Sequence, residues 1–137
     1  MSQRLDPEVP DVSYHCGRLL AVLAEVQYAA LGKVNANIIQ RYYASASATP
    51  ALVLGRIIRT SQHHLAKIEG GLRHLLERRI AGVTRSIDRF PPVLDLEGQS
   101  MFALGYYHEI AARNSSIDES KARMAAGESP TDKEPTP

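Results

Sequence analysis

The sequence predicts an all-α protein: a compact bundle of about five helices, followed by a polar C-terminal tail that we expect to be disordered. Three observations predict this fold class. Apolar residues recur at helical spacing along most of the chain, no segment alternates as a β-strand does, and Pro or Gly stands where most of the helical patterns end. Because 44% of the 137 residues are hydrophobic, the chain can bury one core. We therefore expect an irregular segment over residues 1–12, a helical domain over residues 13–113 and the tail over residues 114–137.

The first two helices are predicted from their apolar spacing. Helix one takes residues 13–31, with Gly32 as its stop, and Gly17 is expected to weaken its first turn because glycine is a poor helix former. A shorter second helix takes residues 34–44. The small and hydroxylated residues 45–49 that follow are typical of a loop.

Helices three and four are predicted on either side of a glycine pair. Thr49 is expected to cap helix three, residues 50–69. The first residue of this helix is a proline, which fits there because the backbone N–H at that position has no partner within a helix and proline has no N–H. Gly70-Gly71 ends this helix and allows the chain to reverse. Helix four then takes residues 72–89, with Leu72 on its apolar side.

A fifth helix is predicted over residues 96–113, with Asp95 as its N-cap. Beyond Asn114 the chain becomes poor in aromatic and bulky apolar residues and rich in small, charged and proline residues. A segment of this composition buries too little apolar surface to offset the entropy lost on folding. This is why we expect the tail to be disordered, apart from at most a marginal helical turn or two over residues 118–126.

The chain is nearly neutral overall, with a formal net charge of +1, but its charges are unevenly distributed. Residues 15–93 carry eleven Lys and Arg against four acids, a net charge of +7. Residues 1–14 have a net charge of −2 and residues 94–137 one of −4. A positive excess confined to one part of the chain indicates an anionic partner, and it favours a phosphate backbone.

The positive charge of helices three and four falls on one side of each helix, at about 100° of rotation per residue. The first basic stripe, opposite the apolar side of helix three, consists of Arg56, Arg59, His63 and Lys67. The second basic stripe, opposite the apolar side of helix four, consists of Arg78, Arg85 and Arg89. If the glycine pair folds these helices side by side, the two stripes merge into one surface.

Neither stripe contains a carboxylate. A solvated helix face normally mixes the two signs of charge, because opposite charges one turn apart stabilise a helix and like charges destabilise it. A polyanion would supply the missing counter-charge. The expected phosphate contacts are Arg56, Arg59, Lys67, Arg78, Arg85 and Arg89, with Lys33, Arg41 and Arg79 as secondary candidates. The other interpretation, that the stripes are ordinary solvated faces of amphipathic helices, stays open.

Two tyrosine pairs, Tyr42-Tyr43 and Tyr106-Tyr107, carry rings on which nucleobases can stack. Adjacent residues on a helix point about 100° apart. The more ordinary interpretation therefore places one tyrosine of each pair in the core and the other at its boundary.

Little in the sequence indicates catalysis, a cofactor or a metal. His63-His64 and His108-Glu109 are adjacent pairs whose side chains diverge on a helix, so they do not place two metal ligands on one face. Cys16 has no second cysteine to pair with, and we expect it to be a small buried residue in a reducing compartment. No run approaches the roughly 20 apolar residues of a membrane span, and the N-terminus does not resemble a signal peptide. We expect a cytoplasmic protein without enzymatic activity, cofactor or metal.

Five segments of the chain resemble one protein family. They are residues 30–36 (ALGKVNA), 41–51 (RYYASASATPA), 63–67 (HHLAK), 77–80 (ERRI) and 102–108 (FALGYYH). These segments are similar, in the same order, to the C-terminal part of the large subunit of type I-C CRISPR Cascade complexes, and the resemblance extends over residues 14–109. In that family the same region is also made separately, as the small subunit of the complex. A chain that begins with Met1 and holds only this region resembles that product.

The resemblance implies a non-catalytic helical subunit, present in more than one copy, that packs along the crRNA-bearing backbone and beside the large subunit. It also implies that the subunit helps to hold the R-loop, with the displaced non-target strand of the target DNA along its basic surface. In an RNA-guided complex base pairing reads the sequence, so a protein subunit needs only charge and shape to hold the unpaired strand. The polar tail lies outside the resemblance and inherits no role from it.

Three other functions stay open, of which a helical metalloenzyme would require bound metal in the purified protein. A helical protein-interaction module would dock the same basic face on an acidic partner instead of on a nucleic acid. A DNA-binding regulator would need a recognition helix with contacts to base edges, and no helix-turn-helix pattern is evident in the sequence.

Overall fold

The computed structural model describes residues 4–127, which form five α-helices. The helices are α1 (Val12–Leu31), α2 (Ile38–Ala48), α3 (Pro50–Leu65), α4 (Gly70–Thr84) and α5 (Leu96–Ala125). No strand occurs within residues 4–127, so the predicted all-α bundle of five helices is confirmed. None of these helices is long and apolar enough to cross a membrane.

Helix α1 forms the centre of the bundle. It packs against each of the other four helices, and most extensively against α5. Residues 13–23 of α1 are all buried, including the polar residues His15 and Arg18. A helix that is covered on all sides needs hydrogen-bond partners for its polar groups as well as apolar neighbours. These partners come from α5 and from the segment that precedes α1.

Helices α1 and α5 cross with their backbones in close contact, and a glycine on each helix makes this possible. A Cβ atom at Gly17 would lie 1.9 Å from the carbonyl oxygen of Phe102, and one at Gly105 would lie 1.8 Å from that of Tyr14. No side-chain carbon fits at such distances. The sequence predicts only that Gly17 weakens the first turn of α1, whereas the structure shows that this glycine is required for the contact with α5.

Helix α2 lies four residues further along the chain than the apolar spacing predicts. It is fixed there by Asn37, whose side chain accepts a hydrogen bond from the backbone of Gln40 at 2.9 Å, while the Gln40 side chain accepts one from the Asn37 N–H at 3.0 Å. Residues 45–48, predicted as a loop, are therefore the last turn of α2. Thr49 is the N-cap residue of α3, as predicted, but its side chain makes no capping hydrogen bond, because its hydroxyl donates to the carbonyl of Ser45 in α2.

Helices α3 and α4 are both shorter than predicted. Helix α3 begins with Pro50 at its first position, as predicted, but ends at Leu65, and α4 ends at Thr84. Gly70 turns the chain between them with a left-handed φ of 68°. The two helices do not pack side by side: each packs against α1, and their shared apolar contacts form a small cluster around Val26 of α1.

Helix α5 begins as predicted, with the Asp95 side chain accepting a hydrogen bond at the first turn. It ends at Ala125, so residues 114–125, which were predicted to be part of a disordered tail, are helical. These residues include good helix formers, and a helix that packing has already nucleated extends at little cost. Residues 128–137 of the predicted tail, like the first three residues of the chain, lie outside the described residues.

Candidate nucleic-acid interface

The first basic stripe is an exposed face of α3. Arg56, Arg59 and His63 are all exposed, while the apolar residues on the opposite side of α3 belong to the core. Within residues 4–127 neither Arg56 nor Arg59 forms an ion pair. Lys67 is exposed as well, but it lies in the turn after α3, where the helical wheel no longer fixes its direction. The stripe on α3 therefore carries two arginines that are available to an anionic ligand.

The second basic stripe is not a continuous helical face. Arg78 is exposed on α4, but Arg85 is the C-cap and Arg89 lies beyond the end of the helix. The alignment of Arg89 with Arg78 is therefore wrong, because it assumed a helix that continued to residue 89. Arg85 Nε lies 3.4 Å from the carbonyl oxygen of Ala81, where the partial negative charge of a helix C-terminus favours a cation.

The two stripes also fail to merge, because α3 and α4 pack separately against α1. Helix α4 buries only Leu76 and Val83, so most of its surface faces outward. Leu72, predicted on its apolar side, is 47% exposed, and Leu75 is 45% exposed. The outer surface of α4 thus combines Arg78 with apolar side chains and differs in character from the stripe on α3.

Arg79, a secondary candidate for phosphate binding, is used inside the protein. Its guanidinium donates to a carboxylate oxygen of Glu25 on α1 and, at 3.0 Å, to one of Glu109 on α5. Burial lowers the pKa of Arg79, but the hydrogen bonds and charges of the two carboxylates outweigh this effect, so the pKa is raised and the group stays charged. Arg79 therefore joins α4 to α1 and α5 and does not belong to the interface.

The same two carboxylates bind further guanidinium groups. Glu25 accepts from Arg113 Nε at 2.7 Å, and Glu109 accepts from Arg18 Nε at 3.0 Å. Arg18 Nη1 also lies 2.9 Å from His15 Nδ1, and because a guanidinium only donates, His15 Nδ1 is the acceptor. The other ring nitrogen of His15, Nε2, therefore carries the hydrogen and donates it to a backbone carbonyl before α1. We call the charged members the buried ion network: Arg18, Glu25, Arg79, Glu109 and Arg113.

Sequence reasoning missed the buried ion network because its partners are far apart along the chain, by 54 residues for Arg79 and Glu25 and by 91 for Arg18 and Glu109. One signal was present. Glu25 lies between Leu23 and Val26, and Glu109 follows a run of apolar and aromatic residues. A carboxylate on the apolar side of a helix requires a cation.

A cleft between α1, α2 and α3, which we call the basic cleft, brings together candidate cations from two helices. Arg41 of α2 and Arg56 of α3 both line it. The guanidinium carbon of Arg41 lies 5.6 Å from the centre of the Tyr42 ring, a cation–π contact. The side chains that line the basic cleft are Gln27, Ile38, Arg41, Tyr42, Arg56, Ile57, Thr60 and His64. Lys33, the remaining candidate, is exposed in the loop between α1 and α2 and does not line this cleft.

Only the second tyrosine pair divides between core and surface. Tyr106 is 8% exposed and packs edge-to-face against Tyr43 at 5.1 Å between ring centres, whereas Tyr107 is 62% exposed. Burial, with neighbouring tyrosines, raises the pKa of both Tyr43 and Tyr106. The prediction of one core tyrosine is confirmed for the second pair. In the first pair both tyrosines are half-buried and pack against the core, and Tyr42 also lines the basic cleft.

Cys16 is fully buried in α1, as predicted. Burial, and then the charge of Asp11, raises the pKa of its thiol to about 12. The thiol therefore stays protonated near neutral pH, which makes it unreactive as a nucleophile. Among residues 4–127 no group of three or more His, Cys, Asp or Glu side chains is placed to hold a metal ion.

Comparison with known proteins finds one family. The family model described as CRISPR-associated protein (Cas_Csd1) matches residues 1–113. A search of curated proteins finds no match. The matched range holds the first basic stripe, the basic cleft and the buried ion network, and it covers most of the 137 residues. The chain therefore belongs to the Csd1 family of CRISPR-associated proteins.

Proposed function

We propose that this chain is the non-catalytic small subunit of a type I-C CRISPR effector complex, and that it stabilises the R-loop through sequence-independent contacts to the displaced DNA strand. The observation that carries this proposal is the exposed stripe on α3, whose arginines have no ion-pair partner within the described residues, in a chain of a CRISPR-associated family. A basic face of this kind gains affinity for a phosphate backbone by releasing the counterions condensed on it.

The proposed interface lies on α2 and α3 and in the turn that follows α3. Arg56 and Arg59 are its centre, Arg41 adds a third guanidinium across the basic cleft, and Lys67 extends it. Contacts of this kind position a strand without reading its bases, which suits a complex in which the guide RNA reads the sequence. Lys33, Arg78, Arg85 and Arg89 are exposed outside this centre and remain secondary candidates.

In the proposed complex the subunit packs along the crRNA-bearing backbone, beside the large subunit and further copies of itself, in the cytoplasm. Helix α4 is the element that we assign to these protein contacts. Leu72 and Leu75 are half exposed there, beside Arg78, and partly apolar surfaces of this kind favour contact with another protein. The same observation supports the second candidate function, a protein-interaction module that docks on an acidic partner.

The double charge reversal Arg56→Glu/Arg59→Glu tests the proposal. In an effector complex assembled with this subunit, we expect weaker R-loops and a smaller salt dependence of target binding. The slope of log affinity against log salt should fall by about 1.4, since each phosphate contact to a single strand contributes about 0.7. Helix content should not change, because both side chains are exposed.

The matched control is Lys121→Glu/Arg123→Glu, which changes the net charge by the same amount near the end of α5, outside the proposed interface and outside α4. It should leave R-loop formation near the wild-type level. Equal R-loop stability in the α3 double variant and the wild type would sink the proposal. An equal loss in both double variants would show that total charge matters and that the α3 face does not.

A further inference from the structure

The basic cleft has cations at its edge and an apolar interior. Arg41 and Arg56 are both exposed, and neither forms an ion pair within residues 4–127. Among the residues that the structure describes, no carboxylate lines the cleft. Ile38 and Ile57, which are 4% and 3% exposed, supply apolar surface. This combination suits a ligand that carries an anionic group and a flat apolar body.

The cleft also contains a buried polar group without a partner. His64 is 8% exposed, and its Nδ1 is buried and makes no hydrogen bond within the described residues. A buried nitrogen in this state costs free energy. Because the atom has almost no accessible surface, a ligand recovers that free energy only if the His64 ring turns toward the cleft. Burial, and then the charges of Lys67 and His63, lowers the pKa of His64, so the ring is neutral near pH 7. A neutral imidazole has one donor and one acceptor nitrogen, which matches the edge of a nucleobase better than a phosphate.

Two further lining side chains have hydrogen-bonding capacity left over. The Gln27 side-chain oxygen accepts from the Ile38 N–H at 2.9 Å, so its amide hydrogens are not used by that bond. The Thr60 hydroxyl donates to the carbonyl of Arg56 at 3.2 Å, so its oxygen still has acceptor capacity. Donors and acceptors thus surround the apolar surface of the cleft.

The size of the cleft limits its occupant. Its volume is about 260 Å³, slightly less than the roughly 300–1,000 Å³ of clefts that hold drug-sized ligands. One base with its sugar is of the right scale, and a stack of several bases is too large. The contact between Arg41 and the Tyr42 ring holds this guanidinium at the edge of the cleft before any ligand arrives.

We propose that the basic cleft takes one unstacked nucleotide of the bound single strand, with its base among Ile38, Tyr42 and Ile57 and its phosphate against Arg41 and Arg56. This inference rests on the proposed function and adds a specific pocket to it. Every base has a flat apolar face, so a single pocket of this kind holds a strand in place without selecting a sequence.

The test uses the full chain and a single-stranded oligonucleotide that contains one 2-aminopurine, whose fluorescence rises when it leaves the base stack. The variant Thr60→Trp fills the cleft and keeps both arginines. We expect it to weaken strand binding about tenfold, as the loss of one stacked base does, and to abolish the fluorescence rise seen with the wild type. The control is Ser100→Trp on α5, whose hydroxyl makes the same bond to the carbonyl four residues earlier as Thr60 does.

The outcomes separate the two proposals. If Thr60→Trp binds like the wild type while Arg56→Glu/Arg59→Glu binds weakly, the basic face holds the strand and the nucleotide pocket is refuted. If the wild type itself fails to bind the oligonucleotide at low salt, the proposed strand contact and the pocket are both refuted.

A second measurement covers the case in which Thr60→Trp misfolds. With 5-iodouracil in the strand, photocrosslinking of the wild type should modify Tyr42 or His64, and crosslinks confined to other residues would refute the pocket.

Discussion

Gly105→Ala is expected to lower the free energy of unfolding by about 3 kcal/mol or more. This is the upper end of the loss that is typical when an added side-chain atom overpacks a protein interior. The added Cβ would lie 1.8 Å from the carbonyl oxygen of Tyr14 and 2.7 Å from its carbonyl carbon. Both are backbone atoms, so no side-chain rotation can relieve the clash. Helices α1 and α5 would have to separate, and their contact is the most extensive one in the bundle. Thermal unfolding should show a fall in Tm of about 10 °C or more.

Gly55→Ala is the matched control for this substitution. Gly55 lies inside α3, and a Cβ there would meet no atom within 4 Å. Alanine should therefore stabilise the protein, by about 0.5–1 kcal/mol, because it reduces the entropy of the unfolded chain without a clash. The two substitutions add the same methyl group with opposite expected signs. A Tm for Gly105→Ala within a degree or two of the wild type would contradict a close backbone contact between α1 and α5 at this position.

Glu109→Ala is expected to cost about 3–5 kcal/mol, because it leaves the buried Arg18 guanidinium without a counter-charge, while Arg79 keeps only Glu25. Glu109 is 6% exposed and accepts hydrogen bonds from Arg18 and Arg79, at 3.0 Å in each case. Arg18 is itself 6% exposed and would keep only its bond to His15. Chemical denaturation should give a lower midpoint, and for a two-state transition the loss follows from that midpoint.

The control for Glu109→Ala is Glu77→Ala. Glu77 also pairs with an arginine, Arg73, but the two side chains are 45% and 46% exposed and their charged atoms are 3.8 Å apart. Exposed pairs of this kind contribute about 0.2–1 kcal/mol, so this variant should be close to the wild type. Comparable losses in the two variants would contradict the assignment of a structural role to the buried ion network.

Those elements of the fold that depend on local chemistry were predictable from the sequence. The apolar spacing located the helices, and Asp95 and Pro50 marked two helix starts correctly. The errors occurred where local signals were weak. At residues 45–48 small residues suggested a loop but continued α2, and at residues 114–125 polar residues suggested disorder but continued α5. Neither segment needs an apolar face to stay helical once its helix is anchored elsewhere.

The candidate site was predictable only in part. The exposed face with Arg56 and Arg59 could be predicted because it depends only on the period of one helix, and both residues are exposed on α3 in the structure. The position of Arg89 was wrong because it depended on where α4 ends. The pairing of Arg79 with two carboxylates, and the approach of Arg41 to Arg56, depend on how different helices pack. No single-helix pattern contains that information.

The central position of α1 has a consequence for synthesis of the chain. Tyr14 and Arg18 of α1 make their hydrogen bonds to His108 and Glu109, which are 94 and 91 residues away. During translation α1 leaves the ribosome before α5, the helix that covers it most extensively. Until then its apolar side chains lack their main partner, and such surfaces on nascent chains are prone to aggregate. The bundle can therefore close only after α5 has emerged, and chaperones that hold exposed apolar helices would act on this chain before that point.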